Sequence, residues 1–285
     1  MSRILVIAAE ASADRLASRV ISEAKKIGVT EFFGIGGEKC KAEGMQCFYT
    51  PTEMSVVGFL EVAKRYGFFK RVFAEMVALL DDPKTRPDKI LLVDYPGFNI
   101  RFAAEAKKRN IEVIYFVSPQ VWAWKPSRVQ KMVATVSRML VIFPFEVDIY
   151  KKAGLAQTEF VGHPLVEIID EEKKNYVSRE AFANKYQLNA TQGWLLVFAG
   201  SRSEEVRRHL NIMCKAAEIV ASKLNVQPIV VESPTVSESL YSTAPKSFSH
   251  FRNAEDTHQL MNHAQLGILK SGTTTLEAAL AGLPG

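Results

Sequence analysis

Short runs of apolar residues recur along this chain, and longer amphipathic stretches separate them. Each run is rich in Val, Ile and Leu and is apolar nearly throughout, which is typical of strands that a parallel sheet buries on both faces. The runs are Arg3–Ala9, Ile90–Val93, Glu112–Val117, Met139–Ile142, Leu195–Ala199, Gln227–Val231 and Leu266–Leu269. Helical spacing fills the stretches between them, at Ser12–Lys26, Ile100–Arg109, Ser127–Ser137, Glu204–Lys223 and Thr273–Ala281. This alternation predicts an α/β fold with parallel sheets and right-handed crossovers.

The charged stretch Asp170–Glu180 is the best candidate for a domain boundary, because the alternation restarts after it. We predict two Rossmann-like, doubly wound domains that face a cleft, at residues 1–169 and 170–285. Only three to four strands are expected after Gly193, where a full doubly wound sheet has six. The second domain is therefore expected to be incomplete, and the chain to be either a fragment or the product of a short gene.

Net charge, cysteine spacing and the length of apolar runs limit the compartment in which this protein works and the partners that it binds. The formal net charge of +5 favours an anionic partner, but the basic residues are scattered and form no nucleic-acid-binding motif. Cys40, Cys47 and Cys214 have neither CxxC nor zinc-site spacing, and no secretory signal precedes them, which indicates a reducing cytosolic compartment. No apolar run reaches the ~18 residues of a membrane span. A protein of this kind does not cross a membrane, although it can lie on one.

Polar and turn residues follow the predicted strands. Ligands of an open parallel sheet bind beyond the carboxyl ends of its strands, so these residues are the candidates for a site. The segments are EASAD at 10–14, DYPGFN at 94–99, SPQVWAW at 118–124, GHP at 162–164, GSR at 200–202 and KSGTTTLE at 270–277. Any one of them could be a plain turn or helix cap, whereas their shared placement on one edge indicates a functional site.

Longer strings around these segments resemble, in order and spacing, those of the lipid-A-disaccharide synthases. They are DYPGFN, VSPQVWAWKPSRV, FPFEVDIYKKAG, FVGHPL, GSRSEEVRRHL and SGTTTLEAALAGLP, together with IGGEKCKAEGM and the stretch after Met54. The resemblance covers essentially the whole chain, and VSPQVWAW with a downstream VGHP is its most specific part. It implies an inverting glycosyltransferase of the GT-B architecture that uses no metal or other cofactor. It also implies the substrates, since the family transfers 2,3-diacylglucosamine from UDP to the 6-hydroxyl of 2,3-diacylglucosamine 1-phosphate.

The chain departs from the family pattern in three places. Its first loop carries Ala9 and Ala13 where the family usually has glycines, which puts a close backbone approach to a ligand in question there. Cys40 stands where the family usually has Met, and the end of the second sheet is expected to be missing.

Two residues are predicted to be catalytic. Asp94 is the expected base, because a carboxylate can take the proton of an attacking sugar hydroxyl, and the resemblance places the family's essential aspartate here. The alternative is a helix cap. Arg202 is expected to bind the UDP phosphates and to stabilise the charge of the leaving diphosphate. The alternative is a surface arginine beside Arg207 and Arg208.

UDP binding is predicted on two loops in the second half of the chain. The residues are Gly200, Ser201 and Arg202 on one loop, and Ser271, Gly272, Thr273, Thr274 and Glu277 on the other. A helix that begins near Thr273 would offer free N–H groups and its dipole to phosphate. Thr274 and Glu277 equally fit a plain capping box. The resemblance favours phosphate at Ser271–Thr274 and the ribose hydroxyls at Glu277.

Six residues of the first half are predicted substrate contacts: Glu10, Ser12, Asn99, Ser118, Trp122 and His163. Each also has an ordinary structural explanation. Glu10 and Ser12 can cap the first helix, and Trp122 can be a packing residue. His163 precedes a proline, where a lone histidine more often serves a turn than acid–base catalysis.

Residues 54–80 are the expected membrane-associating segment. One helical stripe, which a core would use, consists of Tyr66, Phe69, Phe73, Val77 and Leu80. A second stripe consists of Phe68, Val72 and Leu79, with Lys64, Arg65, Lys70 and Arg71 between the two. An apolar surplus with a basic rim is typical of a helix that lies on a membrane. The sequence thus favours a cytoplasmic protein that is peripheral on the inner membrane, with a wide core helix as the alternative.

Other functions remain to be weighed against the transferase. A non-catalytic remnant that still binds sugar nucleotide or membrane would explain Ala9, Ala13 and the early end of the chain, but not the intact Asp94 and SGTTTLE segment. A dinucleotide oxidoreductase needs GxGxxG after its first strand, and AEASAD does not fit. The sequence does not fix the oligomeric state, and a homo-oligomer is compatible with it.

Overall fold

The computed structural model describes residues 2–54, 66–121 and 127–285, and it divides the chain into two compact units. The first unit is Met1–His163 and the second is Pro164–Gly285. The division falls six residues before the predicted boundary, which lies inside the helix Pro164–Lys173. That helix buries Ile168 and Ile169 and exposes most of its charged residues. The charged stretch therefore begins on the solvent face of a helix of the second unit.

The first unit is built on a seven-stranded sheet in the order β3-β2-β1-β4-β5-β6-β7, and every pairing in it is parallel. The strands are β1 (Arg3–Ile7), β2 (Glu31–Ile35), β3 (Gln46–Tyr49), β4 (Lys89–Val93), β5 (Glu112–Phe116), β6 (Arg138–Val141) and β7 (Thr158–Phe160). The order reverses between β1 and β4, as in a doubly wound Rossmann sheet. The predicted α/β class is therefore confirmed, and four of these strands match predicted apolar runs.

Helices connect these strands and cover the sheet. They are α1 (Ala11–Lys26), α2 (Glu38–Ala42), α3 (Pro51–Met54), α4 (Tyr66–Ala78), α5 (Pro96–Lys108), α6 (Ser127–Thr135) and α7 (Pro144–Lys152). Alternate residues of β1 enter different clusters, with Leu5 and Ile7 in one and Val6 in the other. A core thus lies on each face of the sheet, as near-continuous apolar strands require.

Helix α4 corrects the prediction of two separate apolar stripes. Val72, assigned to a membrane stripe, is fully buried beside Met76 and Leu80. Phe68 and Leu79 of the same stripe are partly buried against this core, whereas Tyr66, assigned to the core stripe, is 65% exposed. The helix buries a broad face because its apolar residues surround Val72 and Met76 on both sides. Lys64 and Arg65 lie outside the described residues.

The second unit has a four-stranded parallel sheet in the order β10-β9-β8-β11. Its strands are β8 (Gly193–Phe198), β9 (Val226–Val231), β10 (Ser249–Phe251) and β11 (Leu266–Leu269). Its helices are α8 (Pro164–Lys173), α9 (Arg179–Tyr186), α10 (Ser203–Leu224), α11 (Thr257–His263) and α12 (Thr273–Ala281), with a 3-10 turn at Glu238–Thr243. This is the 3-2-1-4 part of the Rossmann order, and the predicted number of strands is confirmed. Trp194 and Leu196 face one core while Leu195 and Val197 face the other.

The three cysteines are free thiols. Cys40 and Cys214 are buried and Cys47 is half-buried. Burial raises the pKa of the Cys47 and Cys214 thiols to about 11, and it raises the pKa of Cys40 further still, with help from Asp14. All three are therefore protonated at neutral pH. No helix within the described ranges is long and apolar enough to span a membrane.

Candidate functional site

The turn after β4 has an unusual backbone. Asp94 and Tyr95 both have a positive φ, 48° and 46°, in a left-handed region that residues other than glycine rarely adopt. The carbonyl oxygen of Asp94 accepts hydrogen bonds from the Tyr115 hydroxyl at 2.6 Å and from the Asn99 side-chain amide at 2.8 Å. Two buried side chains therefore hold this turn, and they fix where the Asp94 side chain begins.

The Asp94 carboxyl is half-buried at the carboxyl edge of the sheet. Burial, and then the negative charge of Glu10, raise its pKa to about 6, while the N–H of Tyr95 opposes the shift. Asp94 is not the cap of the following helix, because α5 begins at Pro96 and its N-cap is Tyr95. The structure therefore does not support the alternative in which Asp94 only caps a helix.

Asn99, which the sequence predicts as a substrate contact, is buried next to the Asp94 turn. Its side chain is 0% exposed, and its amide also donates to the carbonyl of Val93 at 3.3 Å. Its Oδ1 has no hydrogen-bond partner in the described part of the chain. Because the first turn of α5 faces the sheet here, Asn99 supports the Asp94 turn from beneath.

Ser118, another predicted substrate contact, is buried and supports the loop after β5. It follows Val117, a β-branched residue with a φ of 66°, and it is buried. Its hydroxyl lies 2.8 Å from the Tyr150 hydroxyl and donates to the carbonyl of Pro119 at 2.9 Å. The loop after β5 is thereby fixed to helix α7. Trp122, predicted on the same loop, lies outside the described residues.

Glu10 lies in the loop after β1 and Ser12 in the first turn of α1, and both are exposed. Glu10 is the N-cap of α1, but its side chain makes no capping hydrogen bond. Ala9 and Ala13 are buried in the core, and neither has a positive φ. Alanine therefore fits this loop without backbone strain. Because β1 and β4 flank the point where the strand order reverses, Glu10 and Asp94 lie at the switch point where such sheets bind ligands.

Asp14 is a residue that the sequence analysis did not single out. It is buried, and its carboxylate accepts hydrogen bonds from the backbone N–H of Gly37 at 2.6 Å, Lys39 at 3.1 Å and Cys40 at 3.1 Å. One carboxylate thus holds the start of α2 against α1. An Asp in the first turn of a helix is common, so the sequence carries no signal for this second contact.

His163 ends the first unit, directly after Gly162, whose φ is 83°. Its ring centroid lies 5.4 Å from that of Phe143. Burial lowers the pKa of His163, so the imidazole is neutral at pH 7. This histidine can therefore accept or donate a hydrogen bond without carrying a charge.

In the second unit, the loop after β8 contains Gly200, Ser201 and Arg202. Gly200 has a φ of 128°, and a Cβ there would lie 2.5 Å from the Cβ of Glu205, so only glycine fits. The Ser201 N–H donates to Glu205 at 3.0 Å. Arg202 is the N-cap of α10 and is exposed, so its side chain is accessible to a ligand.

The loop after β11 leads into α12. Ser271, Gly272 and Thr273 are exposed, and Gly272 is the N-cap, without a side-chain cap. The alternative capping box of Thr274 and Glu277 therefore does not form. The Thr275 hydroxyl donates to the Gly272 carbonyl at 2.6 Å, which closes the first turn. Strands β8 and β11 flank the switch point of this sheet, so both candidate UDP-binding loops meet at its carboxyl edge.

Glu277 faces a histidine from the neighbouring helix. Its Oε1 lies 3.7 Å from Nε2 of His258, whose Nδ1 lies 2.6 Å from Glu172 Oε2. Burial alone would lower the pKa of His258, but the carboxylates of Glu277 and Glu172 outweigh it and raise that pKa. Within residues 2–54, 66–121 and 127–285, this cluster included, no group of three or more His, Cys, Asp or Glu side chains could hold a metal ion.

The sequence profile described as lipid-A-disaccharide synthetase matches residues 4–285. The chain belongs to the lipid-A-disaccharide synthetase family. The lipid-A-disaccharide synthase of Geobacter metallireducens is 34% identical over 286 residues, which cover 99% of this chain and 73% of that protein. The one from Solibacter usitatus is 34% identical over 287 residues, covering 100% of this chain and 73% of its own.

Solved structures show the same fold at low sequence identity. A UDP-GlcNAc 2-epimerase from Neisseria meningitidis, bound to UDP-GlcNAc, aligns with a TM-score of 0.67 at 12% identity, covering 100% of this chain and 81% of that one. A calicheamicin glycosyltransferase aligns with a TM-score of 0.60 at 13% identity, covering 99% and 79%. These likenesses confirm the predicted Rossmann-like class of fold for this member of the lipid-A-disaccharide synthetase family.

Proposed function

We propose that this protein joins two acylated glucosamines into the lipid A disaccharide. The donor is UDP-2,3-diacylglucosamine, the acceptor is 2,3-diacylglucosamine 1-phosphate, and UDP is released. Membership of the family over residues 4–285 supports the reaction. The observation that carries the proposal within the fold is Asp94, a half-buried carboxylate whose pKa is raised to about 6 at the switch point of the first sheet.

Asp94 acts as the general base. It accepts the proton of the acceptor's 6-hydroxyl as the hydroxyl oxygen forms a bond to the anomeric carbon of the donor. The bond from that carbon to the UDP oxygen breaks at the same time, and UDP leaves with the electron pair. A pKa of about 6 suits this role, because the carboxylate is ionised at pH 7 and is still more basic than an ordinary aspartate.

The second unit binds UDP through the two loops at its switch point. Gly200, Ser201 and Arg202 lie on one side of the diphosphate. Ser271, Gly272, Thr273 and Thr274 lie on the other, where the first turn of α12 offers backbone N–H groups. Arg202 also neutralises the charge that develops on the leaving diphosphate. Glu277 accepts hydrogen bonds from the ribose hydroxyls.

On the first unit, Glu10, Ser12 and His163 contact the sugars. Asn99 and Ser118 act one step back from the ligand, since both are buried and hydrogen-bonded to the loops that they support. Trp122 stays a predicted contact on sequence grounds alone.

The enzyme works on the cytoplasmic face of the inner membrane, because both substrates carry acyl chains that stay in a bilayer. Helix α4 exposes Tyr66, Lys70 and Arg71. An exposed aromatic residue beside two basic ones supports reversible adsorption to anionic lipid. The buried Val72 takes no part in this surface.

The decisive experiment mixes the purified protein with both substrates and measures disaccharide and UDP. We expect the two products in equal amounts. The variant Asp94→Asn should lose ~10²–10⁴-fold in rate while binding UDP as the wild type does. Asp148→Asn, which removes a carboxylate from α7, is the matched control and should turn over normally. Absence of product from the wild-type protein would refute the proposed reaction.

A further inference from the structure

An ion pair joins the two loops to which we assign UDP. The ammonium of Lys270, directly after β11, lies 2.9 Å from Glu205 Oε1 on α10. The other oxygen of the same carboxylate accepts the N–H of Ser201 at 3.0 Å. Glu205 therefore binds one donor from each loop, at the point where the strand order of the second sheet reverses.

The absence of a side chain at Gly200 leaves room for the Glu205 carboxylate. A Cβ at Gly200 would lie 2.5 Å from the Glu205 Cβ and 2.6 Å from its Oε2, so glycine is what allows Glu205 to reach the Ser201 N–H. Lys270 is positioned from its backbone, since its N–H donates to the carbonyl of Phe198 in β8 at 3.0 Å. Its ammonium lies 3.8 Å from where a Cβ of Gly272 would be, beside the start of α12.

The Ser201 N–H and the Lys270 ammonium are donors of the kind that bind phosphate groups in proteins. A backbone N–H and an ammonium on neighbouring loops form a common anion-binding arrangement. Lys270 first, and then the Ser201 N–H and the charge of Arg202, lower the pKa of Glu205. The carboxylate is thus stabilised at a place that attracts anions, and the unliganded chain fills that place with its own negative group.

We propose that Lys270 is a further ligand of the UDP diphosphate and that Glu205 occupies the phosphate position until the nucleotide binds. This inference rests on the proposed binding of a UDP-sugar by the second unit. When the diphosphate arrives, its oxygens take the Lys270 ammonium and the Ser201 N–H, and the Glu205 side chain turns away. Lys270 then adds a cation to Arg202 and to the N-terminus of α12.

The test compares binding of UDP and of uridine, which lacks the phosphates, by calorimetry on the full chain. Lys270→Gln should weaken UDP binding by about ten- to a hundredfold, as expected for a lost hydrogen bond to a charged group, and leave uridine binding unchanged. Glu205→Gln should bind UDP at least as tightly as the wild type, because the amide oxygen still accepts the Ser201 N–H but no longer holds Lys270 or repels phosphate.

The opposite directions of these two effects separate a ligand from a structural link. If Lys270 only tethers Glu205, both substitutions break the same link, and both would weaken UDP and uridine alike, which overturns the inference. Lys185→Ala is the matched control, because it removes a lysine that lies 2.6 Å from Asp256 in the same unit, outside both loops. A wild-type chain that does not bind UDP refutes the proposed function. A wild type that binds UDP, with Lys270→Gln binding it equally, refutes only the role of Lys270.

Discussion

Asp94 is held in place through its backbone, while its carboxyl group lies in surroundings that disfavour its charge. Tyr115 and Asn99 both donate to its carbonyl oxygen. The carboxyl is subject to burial and to the neighbouring Glu10, and both favour the neutral form. The native fold therefore keeps a basic carboxylate at the expense of some stability, as is common at functional sites.

Asp94→Asn should make the protein more stable at neutral pH as well as inactive. Its raised pKa means that the folded chain binds the proton more tightly than the unfolded chain, so ionisation of Asp94 destabilises the fold. This destabilisation is complete at pH values above the folded-state pKa of about 6, and it is absent at pH values below the ordinary pKa near 3.8. Urea unfolding should show a gain on the order of 1–3 kcal/mol for the variant at about pH 8, and a smaller one near pH 4.5. An equal difference at both pH values would argue against burial of a charged Asp94.

The rate should depend on pH through the same group. Because the base must be ionised, kcat/KM should fall below a single pKa of about 6. Glu10→Gln removes the neighbouring negative charge and should move this midpoint to lower pH, whatever it does to the maximal rate. Glu23→Gln, at an exposed position on the helix α1 that Glu10 precedes, is the control and should leave the midpoint in place. If Glu10→Gln leaves the midpoint unchanged, burial alone raises the pKa of Asp94.

The sequence predicts where Asp94 lies, at the end of a strand, but not the orientation of its neighbours. Asp94 and Asn99 stand in one motif, yet only the packing of α5 on the sheet decides that Asn99 points inward. Ser118 is similar, because its burial depends on Tyr150 from a helix about thirty residues away along the chain. Local sequence carries no information on such contacts.

At the scale of elements, segments with a clear apolar or helical pattern could be predicted and segments without one could not. Strands β4, β5 and β8 follow from continuous apolar runs. Strand β2 contains Gly34, and β10 has only three residues, so neither gives a clear pattern. Helix α5 begins at Pro96, about four residues earlier than predicted, although proline is common at a first helical position. For α4 the helix itself could be predicted, but the width of its buried face could not, because periodicity alone does not tell how much of a helix the core will cover.

The cluster of Glu172, His258 and Glu277 joins helices α8, α11 and α12. Because His258 titrates, the stability of the second unit should depend on pH. The pKa of His258 is raised above 6.5, so its charge stabilises the fold fully below pH 6.5 and progressively less as pH rises through the folded-state pKa. His258→Gln should remove this component from the pH dependence of unfolding.

His263, on the same helix α11, provides the control. Burial lowers its pKa, so its contribution to stability has the opposite dependence on pH. His263→Gln should therefore leave the loss of stability above pH 6.5 in place. If both variants keep the wild-type pH profile, the ion pairs of His258 do not contribute to folding.

For the whole molecule, the membrane assignment now rests on charge more than on apolar area. Changing Lys70 and Arg71 together to glutamate should reduce sedimentation with anionic vesicles, because each basic residue contributes roughly 1 kcal/mol near such a surface. The thermal unfolding midpoint should stay the same, since both side chains are exposed. The same exchange at Lys151 and Lys152 on α7 is the control for net charge. Equal losses from both pairs would mean that α4 is not the attachment site.

The three thiols described above leave the native protein with little cysteine reactivity, because alkylating reagents attack the thiolate and burial suppresses it. A cysteine introduced at an exposed position would then react far faster than any native one. Lys108→Cys in the first unit and Lys215→Cys in the second are exposed positions of this kind. A fluorescent dye could be attached to each unit without removing a natural cysteine, and energy transfer between the dyes would report whether the distance between the units changes when nucleotide is added.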